Sequence, residues 1–154
     1  MKKILFVCLG NICRSPAAEG AFIYLLKEQG LFEQYYADSA GTSSYHEGER
    51  ADSRMRETAS KRGIDLPSWS RQVTPDDFHE FDLILAMDRK NLQDLRTICP
   101  EDDLLGKLKM FTDFKQQMSH DQVPDPYYGG NKGFEEVMDL VIDCSKGLLK
   151  YLRV

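Results

Sequence analysis

Residues 8–15 read Cys-Leu-Gly-Asn-Ile-Cys-Arg-Ser and lie between a short apolar run and an amphipathic segment. The apolar run, Ile4 to Val7, consists of β-prone residues and predicts a strand that is buried on both faces of a parallel sheet. After the loop, Ser15 is a suitable N-cap and Pro16 suits the first helical position. Apolar residues then recur at helical spacing as far as Gly30. The start of the chain is therefore predicted to be a strand, a tight loop and a helix.

The rest of the chain alternates short apolar runs with helical patterns. The predicted elements are a weaker strand at Tyr36–Ser39, a loop at 40–48, a helix from Ala51 to Ala59 that ends near Gly63, a strand at Phe81–Ala86, a helix at Asp88–Ile98, a fourth short strand within Leu104–Met110, and a C-terminal helix from Phe134 to Leu152. This alternation predicts an α/β sheet. Because no repeat, low-complexity tract or linker interrupts it, residues 1–154 are predicted to form a single domain.

The composition excludes several classes of protein. Of the 154 residues, 42% are apolar and 29% are charged, which is ordinary globular usage. The formal charge of −5 argues against nucleic acid or an anionic membrane as the main partner, so an anionic substrate must meet a local positive site. The apolar run after Met1-Lys2-Lys3 resembles a signal peptide but breaks at Gly10-Asn11, and no stretch is long enough to span a bilayer.

The cysteines indicate a reducing compartment. Cys8, Cys13, Cys99 and Cys144 are too few and too unevenly spaced for the disulfide framework of a small secreted domain. We therefore expect free thiols and a cytoplasmic protein.

The loop contains the residue types that binding and attacking a phosphate require. Backbone amides before a helix N-terminus form an anion cradle, and Gly10 and Asn11 can adopt the positive φ angles that such a loop needs. Cys8 lies at the floor of this cradle, where the amides and the helix dipole favour the thiolate. Arg14 can hold two phosphate oxygens, and Ser15 can donate its hydroxyl to the sulfur.

The alternative interpretations of this loop are a buried inert cysteine and a metal site. A lone free cysteine is more often inert, but the spacing of Cys8, Arg14 and Ser15 between a strand and a helix favours catalysis. A zinc site is disfavoured because Cys8 and Cys13 have no second close pair. The three histidines, His46, His79 and His120, are scattered and are predicted to be surface residues.

A second motif is Pro-Asp-Pro-Tyr-Tyr-Gly-Gly at residues 124–130. The two prolines stiffen the backbone around Asp125, which suits a general acid that protonates a leaving oxygen. Tyr127 and Tyr128 could wall a pocket for a ring. By itself the motif is more typical of a plain turn. Only together with the cysteine loop does it indicate a catalytic role.

Together these residues resemble the low-molecular-weight protein tyrosine phosphatase family. The resemblance covers essentially the whole chain through the motifs at 7–16, Ser-Ala-Gly-Thr at 39–42, Gly-Ile-Asp at 63–65, Arg-Gln at 71–72, Asp-Leu-Ile-Leu-Ala-Met-Asp at 82–88 and Asp-Pro-Tyr-Tyr-Gly at 125–129. It implies a four-stranded parallel sheet with helices on both faces and a phosphate-binding loop between the first strand and the first helix. It also implies a ping-pong reaction through a cysteinyl-phosphate, without metal or cofactor.

The resemblance assigns roles to individual residues. Cys8 matches the nucleophile, Arg14 the oxyanion clamp, and Asp125 the acid that later acts as a base on water. Asn11 and Ser39 match residues that brace the loop. The substrate-binding positions, along the loop and the walls of an aromatic cleft, are Leu9, Gly10, Asn11, Ile12, Cys13, Ser15, Tyr45, Tyr127 and Tyr128.

One departure concerns the segment Ser68-Trp69-Ser70. Relatives often carry a histidine here that joins the bracing network, so the bracing of this loop is left open. Trp69, the single tryptophan, is predicted to fill part of the core.

Three other functions compete with phosphotyrosine hydrolysis. Arsenate reductases of the same fold need a further close cysteine pair, whereas Cys99 and Cys144 are 45 residues apart. Phosphoarginine phosphatases tend to have threonine where this chain has Ile12, and they lack the tyrosine pair. A non-catalytic phosphopeptide-binding module needs neither Cys8 nor Asp125. The expected partner is a tyrosine-phosphorylated protein or peptide, acted on by a monomer.

The same loop predicts sensitivity to oxidation. Cys8 and Cys13 stand at opposite ends of a loop that curls around one phosphate, so a disulfide between them could trap an oxidised Cys8.

Overall fold

Four strands form one parallel sheet. The strands are β1 (Lys2–Cys8), β2 (Tyr35–Gly41), β3 (Leu83–Ala86) and β4 (Leu108–Met110), in the spatial order β2-β1-β3-β4. Every neighbouring pair is parallel. The computed structural model describes residues 1–128 and 130–153, with Tyr128 described by its backbone alone.

Helices lie on both faces of this sheet. They are α1 (Arg14–Glu28), α2 (Ser53–Ser60), α3 (Asp77–Glu80), α4 (Arg89–Ile98) and α5 (Gly130–Leu152). Short 3₁₀ turns at Phe32–Gln34, Asp102–Lys107, Phe111–Phe114 and Pro126–Tyr128 connect them. The predicted α/β fold is confirmed. None of the helices in the described residues is long and apolar enough to cross a membrane.

The central strand β1 supplies residues to two cores. Phe6 packs on the side of α1, α2 and α5, with its ring 5.9 Å from that of Phe22 and 5.2 Å from that of Phe111. Leu5 and Val7 pack on the opposite side, with α3 and α4. Because successive residues of a strand face opposite sides, a continuous apolar run is what a sheet covered on both faces requires.

Two elements differ from the predictions. The strand predicted at Phe81–Ala86 begins only at Leu83, because Phe81 ends the short helix α3. The fourth strand lies within the predicted stretch, at Leu108–Met110, and follows a 3₁₀ turn in which Lys107 donates to the carbonyl of Phe78 at 2.8 Å. The short helix α3 was missed, since four residues are too few for a periodic pattern; its buried Phe78 anchors it in the core.

The start of α1 corrects a predicted cap. The N-cap is Cys13, without a side-chain capping bond, and the helix begins at Arg14. Ser15 is therefore not the cap, and Pro16 is the third helical residue. The Ser15 hydroxyl faces Cys8 instead of a helix amide.

Trp69 is not a core residue. It is 61% exposed, with the Arg50 guanidinium 5.3 Å from its ring centroid. Its neighbour Ser70 is buried and turns inward, so Trp69 faces outward from the extended segment between Ser68 and Ser70.

Candidate active site

The loop of residues 8–15 begins where β1 ends at the carboxyl edge of the sheet. The chain leaves β1 through this loop into α1, and the neighbours β2 and β3 lie on opposite sides of β1. Open parallel sheets bind ligands at this kind of edge, where the order of the strands reverses direction. The loop therefore lies where the fold forms a natural crevice.

The Cys8 sulfur is held by donors within this loop. Cys8 is 3% exposed, and its Sγ lies 3.1 Å from the Ser15 hydroxyl. The backbone N–H of Asn11 donates to the same sulfur at 3.3 Å. The sulfur therefore lies within hydrogen-bonding distance of a backbone amide and a hydroxyl, both of which can donate to it.

The side chain of Asn11 links the loop to two other segments of the chain. Its side-chain Oδ1 accepts from the Arg71 backbone N–H at 3.0 Å, which turns its amide group toward two hydroxyls. Nδ2 donates to Ser15 Oγ at 2.8 Å and to Ser39 Oγ at 3.0 Å. The backbone of Asn11 has φ 57°, the left-handed conformation that asparagine tolerates better than most residues. The predicted bracing contact between Asn11 and Ser39 is present.

Gly10 serves the loop in a different way from that predicted. Its φ lies outside the left-handed region, so its role is not conformational. A Cβ at this position would lie 3.1 Å from Cδ2 of His46, a tight contact, so glycine lets His46 pack against the loop. The Ser70 hydroxyl donates to the Gly10 carbonyl at 3.0 Å and holds the loop from below.

Arg14 is buried and anchored at one end of its guanidinium. Its Nη1 donates to Asp88 Oδ2 at 2.6 Å and to the carbonyl of Val123 at 3.2 Å. Asp88 also caps α4 in a capping box with Asn91, which fixes its carboxylate. Burial alone would lower the pKa of Arg14, but the nearby Cys8 and the bond to Asp88 raise it, so the group stays a cation.

A cavity of about 460 Å³ opens over this loop. It is lined by Cys8, Leu9, Gly10, Ile12, Cys13, Arg14, Ser43, Tyr45, His46, Asp125 and Tyr127. Asp125 reaches it from the segment after Val123, and its Oδ1 accepts from the Tyr127 backbone N–H at 3.0 Å. A thiol, a guanidinium and a carboxyl group thus share one cavity.

Comparison with known proteins assigns this arrangement to a family. The sequence profile described as low molecular weight phosphotyrosine protein phosphatase matches residues 3–154. The chain belongs to this family.

Individual phosphatases agree with this assignment. A crystal structure of a protein tyrosine phosphatase from Entamoeba histolytica, with Hepes in its active site, superposes with a TM-score of 0.97 at 47% identity, covering 99% of this chain and 97% of that one. The low molecular weight phosphotyrosine protein phosphatase of Homo sapiens is 39% identical, covering 97% of this chain and 94% of the human protein. Wzb of Vibrio vulnificus, solved with benzylphosphonate, is 30% identical with a TM-score of 0.84, covering 97% of this chain and 98% of that one.

The cavity of this phosphatase brings together most residues that the sequence singled out. Nine of them line it: Cys8, Leu9, Gly10, Ile12, Cys13, Arg14, Tyr45, Asp125 and Tyr127. Asn11, Ser15 and Ser39 are buried and do not line the cavity. The side chain of Tyr128 and all of Gly129 fall outside the described residues.

Sequence reasoning missed two residues of the cavity wall, Ser43 and His46. His46 was predicted to be on the surface, but it is half-buried, with Nδ1 3.1 Å from Glu49 Oε2. His120 is also half-buried, 2.6 Å from a carboxylate oxygen of Glu136, whereas His79 is exposed as predicted. His46 belongs to a predicted loop without a periodic pattern, so nothing in the sequence indicated that the fold brings it beside Gly10.

Asp88, the partner of Arg14, was also missed. The sequence predicted it only as the first residue of a helix, whereas it is the N-cap of α4, and its contact with a residue 74 positions away has no local signal. The second thiol of the loop, Cys13, is buried near negative groups and near one cation, Arg54, whose opposite effect is smaller. Burial, followed by the charges of Asp52, Cys8 and Asp125, raises the pKa of Cys13 to about 12.

Proposed function

We propose that the chain hydrolyses phosphotyrosine monoesters of proteins or peptides through a cysteinyl-phosphate on Cys8. The observation that carries the proposal is the buried Cys8 sulfur, bonded to Ser15 and the Asn11 amide, beneath a cavity that Arg14 and Asp125 also line. These are the groups that transfer of a phosphoryl group to sulfur requires.

In the first step the Cys8 thiolate attacks the phosphorus. An S–P bond forms while the bond from phosphorus to the tyrosine oxygen breaks, and the carboxyl of Asp125 gives its proton to that oxygen. Arg14 and the loop amides hold the equatorial oxygens, where negative charge accumulates in phosphoryl transfer. Dephosphorylated tyrosine leaves the cavity.

In the second step water replaces the sulfur. The Asp125 carboxylate takes a proton from a water molecule, whose oxygen attacks the phosphorus as the S–P bond breaks. Cys8 leaves as a thiolate, which the hydroxyl of Ser15 and the N–H of Asn11 stabilise. Inorganic phosphate is the product.

The depth of the site supports an aryl ester as the substrate. Cys8 is 3% exposed at the floor, whereas Leu9, Tyr45 and Tyr127 stand at the rim with exposures of 50–83%. A phosphate on a long flat ring reaches this sulfur, and a phosphoserine on its one-carbon stem stops short. The relative from Vibrio vulnificus that binds benzylphosphonate is consistent with an aryl group in this cleft.

The test compares matched phosphotyrosine, phosphoserine and phosphoarginine peptides, with Cys8→Ser as the blank. The proposal predicts the highest kcat/KM on phosphotyrosine. An equal or greater kcat/KM on phosphoserine or phosphoarginine contradicts it. A separate assay of thiol-dependent arsenate reduction decides the remaining enzymatic alternative.

The proposal extends to control by oxidation. Peroxide would convert the Cys8 thiolate to a sulfenic acid with release of hydroxide, and the Cys13 thiol would then form a disulfide with loss of water. Because the pKa of Cys13 is about 12, we expect the second step to accelerate as the pH rises. After mild peroxide, mass spectrometry should find the two cysteine peptides joined, and Cys13→Ser should turn recoverable inactivation into permanent loss. Equal recovery of the variant with added thiol refutes the idea.

We further propose that residues 1–154 act as one phosphatase domain, as a monomer, in the cytoplasm. All four cysteines are free, which is compatible with a reducing compartment.

A further inference from the structure

A buried carboxyl group that the reaction does not use lies one helical turn after Ser15. Glu19, on α1, is 6% exposed and points toward β2. Another buried carboxylate, Asp77, receives two bonds from the Arg71 guanidinium at 3.0 and 3.1 Å. Glu19 instead meets hydroxyls: Ser39 donates to its Oε1 at 2.5 Å, and Ser68 also bonds to its side chain.

A continuous chain of hydrogen bonds joins this carboxyl to the sulfur of Cys8. Asn11 donates to both Ser39 Oγ and Ser15 Oγ, so both hydroxyl oxygens act as acceptors toward it. The proton of Ser39 is then free to go to Glu19. The proton of Ser15 has two acceptors, the sulfur of Cys8 at 3.1 Å and the carbonyl of Ala40 at the longer distance of 3.4 Å. The directions of all four bonds are consistent only while Glu19 accepts.

The charge of Glu19 decides whether it can also donate. As a carboxylate it has no proton, so the hydroxyl of Ser39 must donate to it, which fixes the order of the chain. As a carboxylic acid it keeps an oxygen that can accept, but it also carries a proton that the hydroxyl of Ser39 or Ser68 can receive. When that proton goes to Ser39, the proton of Ser39 turns elsewhere, and the order of the chain toward Asn11 and Ser15 is no longer fixed.

We propose that Glu19 is a positioning residue for the phosphate loop, whose ionised form orders the bonds through Ser39 and Asn11 that aim the Ser15 hydroxyl at Cys8. The inference rests on the proposed function, because the reaction that Glu19 supports is the one through Cys8. The hydroxyl that stabilises the departing Cys8 thiolate is thus oriented by a carboxyl group that does not line the cavity.

Burial and the neighbouring groups bring the pKa of Glu19 close to neutral pH. Burial raises its pKa to about 7, although the bond from Ser39 opposes this shift. Of the charged and titratable groups that face it, Asp38 on β2 adds to the rise and Arg71 lowers it. Burial, then Asp38 and then Glu19 raise the pKa of Tyr36, which also lies on β2. Arg71 is committed to Asp38 and Asp77, which leaves Glu19 without an ion pair among the residues described.

The test measures kcat, KM and inhibition by inorganic phosphate from pH 5 to pH 9 in the parent, Glu19→Gln and Ser39→Ala. In the parent we expect kcat to rise through pH 7 as Glu19 ionises. Glu19→Gln should lose this rise, and at pH 8 its kcat should fall by roughly three- to tenfold, which corresponds to loss of one hydrogen bond. The inhibition constant for phosphate should not change.

Ser39→Ala should give the same flattened profile, although Glu19 is still present. The matched control is Glu28→Gln, an exposed carboxyl on the same helix.

A second readout does not depend on phosphatase activity. The rate at which iodoacetamide alkylates Cys8, followed by mass spectrometry of its peptide, should change with pH through the neutral range in the parent and lose that change in Glu19→Gln. Failure of the proposed function would appear as a parent without turnover, whereas the positioning role fails if folded Glu19→Gln keeps the parental profiles of kcat and alkylation.

Discussion

The phosphate loop and the segment that carries Asp125 are held in different ways. In the loop, Asn11, Arg14 and Ser15 are at most 5% exposed, and their bonds reach β2, Arg71 and Asp88. Asp125 is exposed, and its carboxylate accepts from an amide only two residues away. The proposed nucleophile is thus placed by contacts with distant segments of the fold, whereas the proposed acid is placed by a local turn. This difference predicts that substitutions in the loop affect every substrate, and that substitutions in the turn have effects that depend on the substrate.

The largest expected effect is that of Cys8→Ser. Turnover should be lost on every phosphate ester, because a hydroxyl at this position is a far weaker nucleophile than a thiolate. Binding of phosphate or vanadate should persist, since the loop amides and Arg14 remain. Calorimetry and steady-state hydrolysis measure the two properties. Cys99→Ser, outside the cavity, is the control that should keep its activity. Measurable turnover by Cys8→Ser would contradict the role of the loop.

Asp125→Asn should come next. We expect kcat on phosphotyrosine to fall by roughly 10²–10⁴-fold, the usual contribution of a general acid and base. The loss should shrink for aryl esters whose leaving groups need little protonation. Hydrolysis rates over a series of leaving groups measure this slope. Equal losses on good and poor leaving groups would remove the distinction between the turn and the loop.

A smaller effect is expected for Tyr127→Ala. A well-placed aromatic contact is worth about 0.5–1.5 kcal/mol, so kcat/KM on aryl phosphates should fall by up to about tenfold. Activity should not be abolished, because Cys8 and Asp125 remain. Tyr151→Ala is the matched control, since Tyr151 is 52% exposed against 55% for Tyr127 but lies outside the cavity. If both variants lose the same activity, the ring does not act through the cleft.

The last prediction concerns stability instead of activity, and it involves the buried end of the loop network. Since the pKa of Glu19 is raised from 4.5 to about 7, the folded protein binds this proton more tightly than the unfolded chain does. The stability from that proton is fully present below pH 4.5 and is lost as the pH rises through 7. Ionised Glu19 then costs about 3 kcal/mol at most. Thermal unfolding should show Glu19→Gln gaining Tm over the parent at pH 8 and little at pH 5. A Tm difference that is independent of pH would show that Glu19 does not titrate there.

The contrast between the two regions also explains what the sequence could predict. The strand and helix that flank the loop follow from a continuous apolar run and from helical spacing, which are local patterns. The motif around Asp125 identified a candidate acid, but its place in the cavity depends on a fold that joins residues more than 100 positions apart. Ser15 was misassigned as an N-cap because capping preference does not include the bond to Cys8.

Other features depended on contacts that no local pattern contains. Trp69 was expected in the core on the basis of residue type, yet the inward turn of its neighbour Ser70 leaves it exposed. His46 was dismissed as a surface residue, and its place in the cavity wall follows from the space that Gly10 leaves. Glu19 carried no signal in the sequence, because its importance arises from the hydroxyls of Ser39 and Ser68 on distant segments.

The most direct test of the central claim is to trap the intermediate. Asp125→Asn is mixed with an aryl phosphate whose leaving group needs little protonation, quenched in acid within the first turnovers, digested and examined by mass spectrometry. With this substrate the Asn side chain slows the attack of water on the cysteinyl-phosphate more than its formation, so we predict phosphate on the fragment that contains Cys8, and none when Cys8→Ser is treated in the same way. Release of inorganic phosphate from the substrate without any phosphate on Cys8 would contradict the cysteinyl-phosphate mechanism.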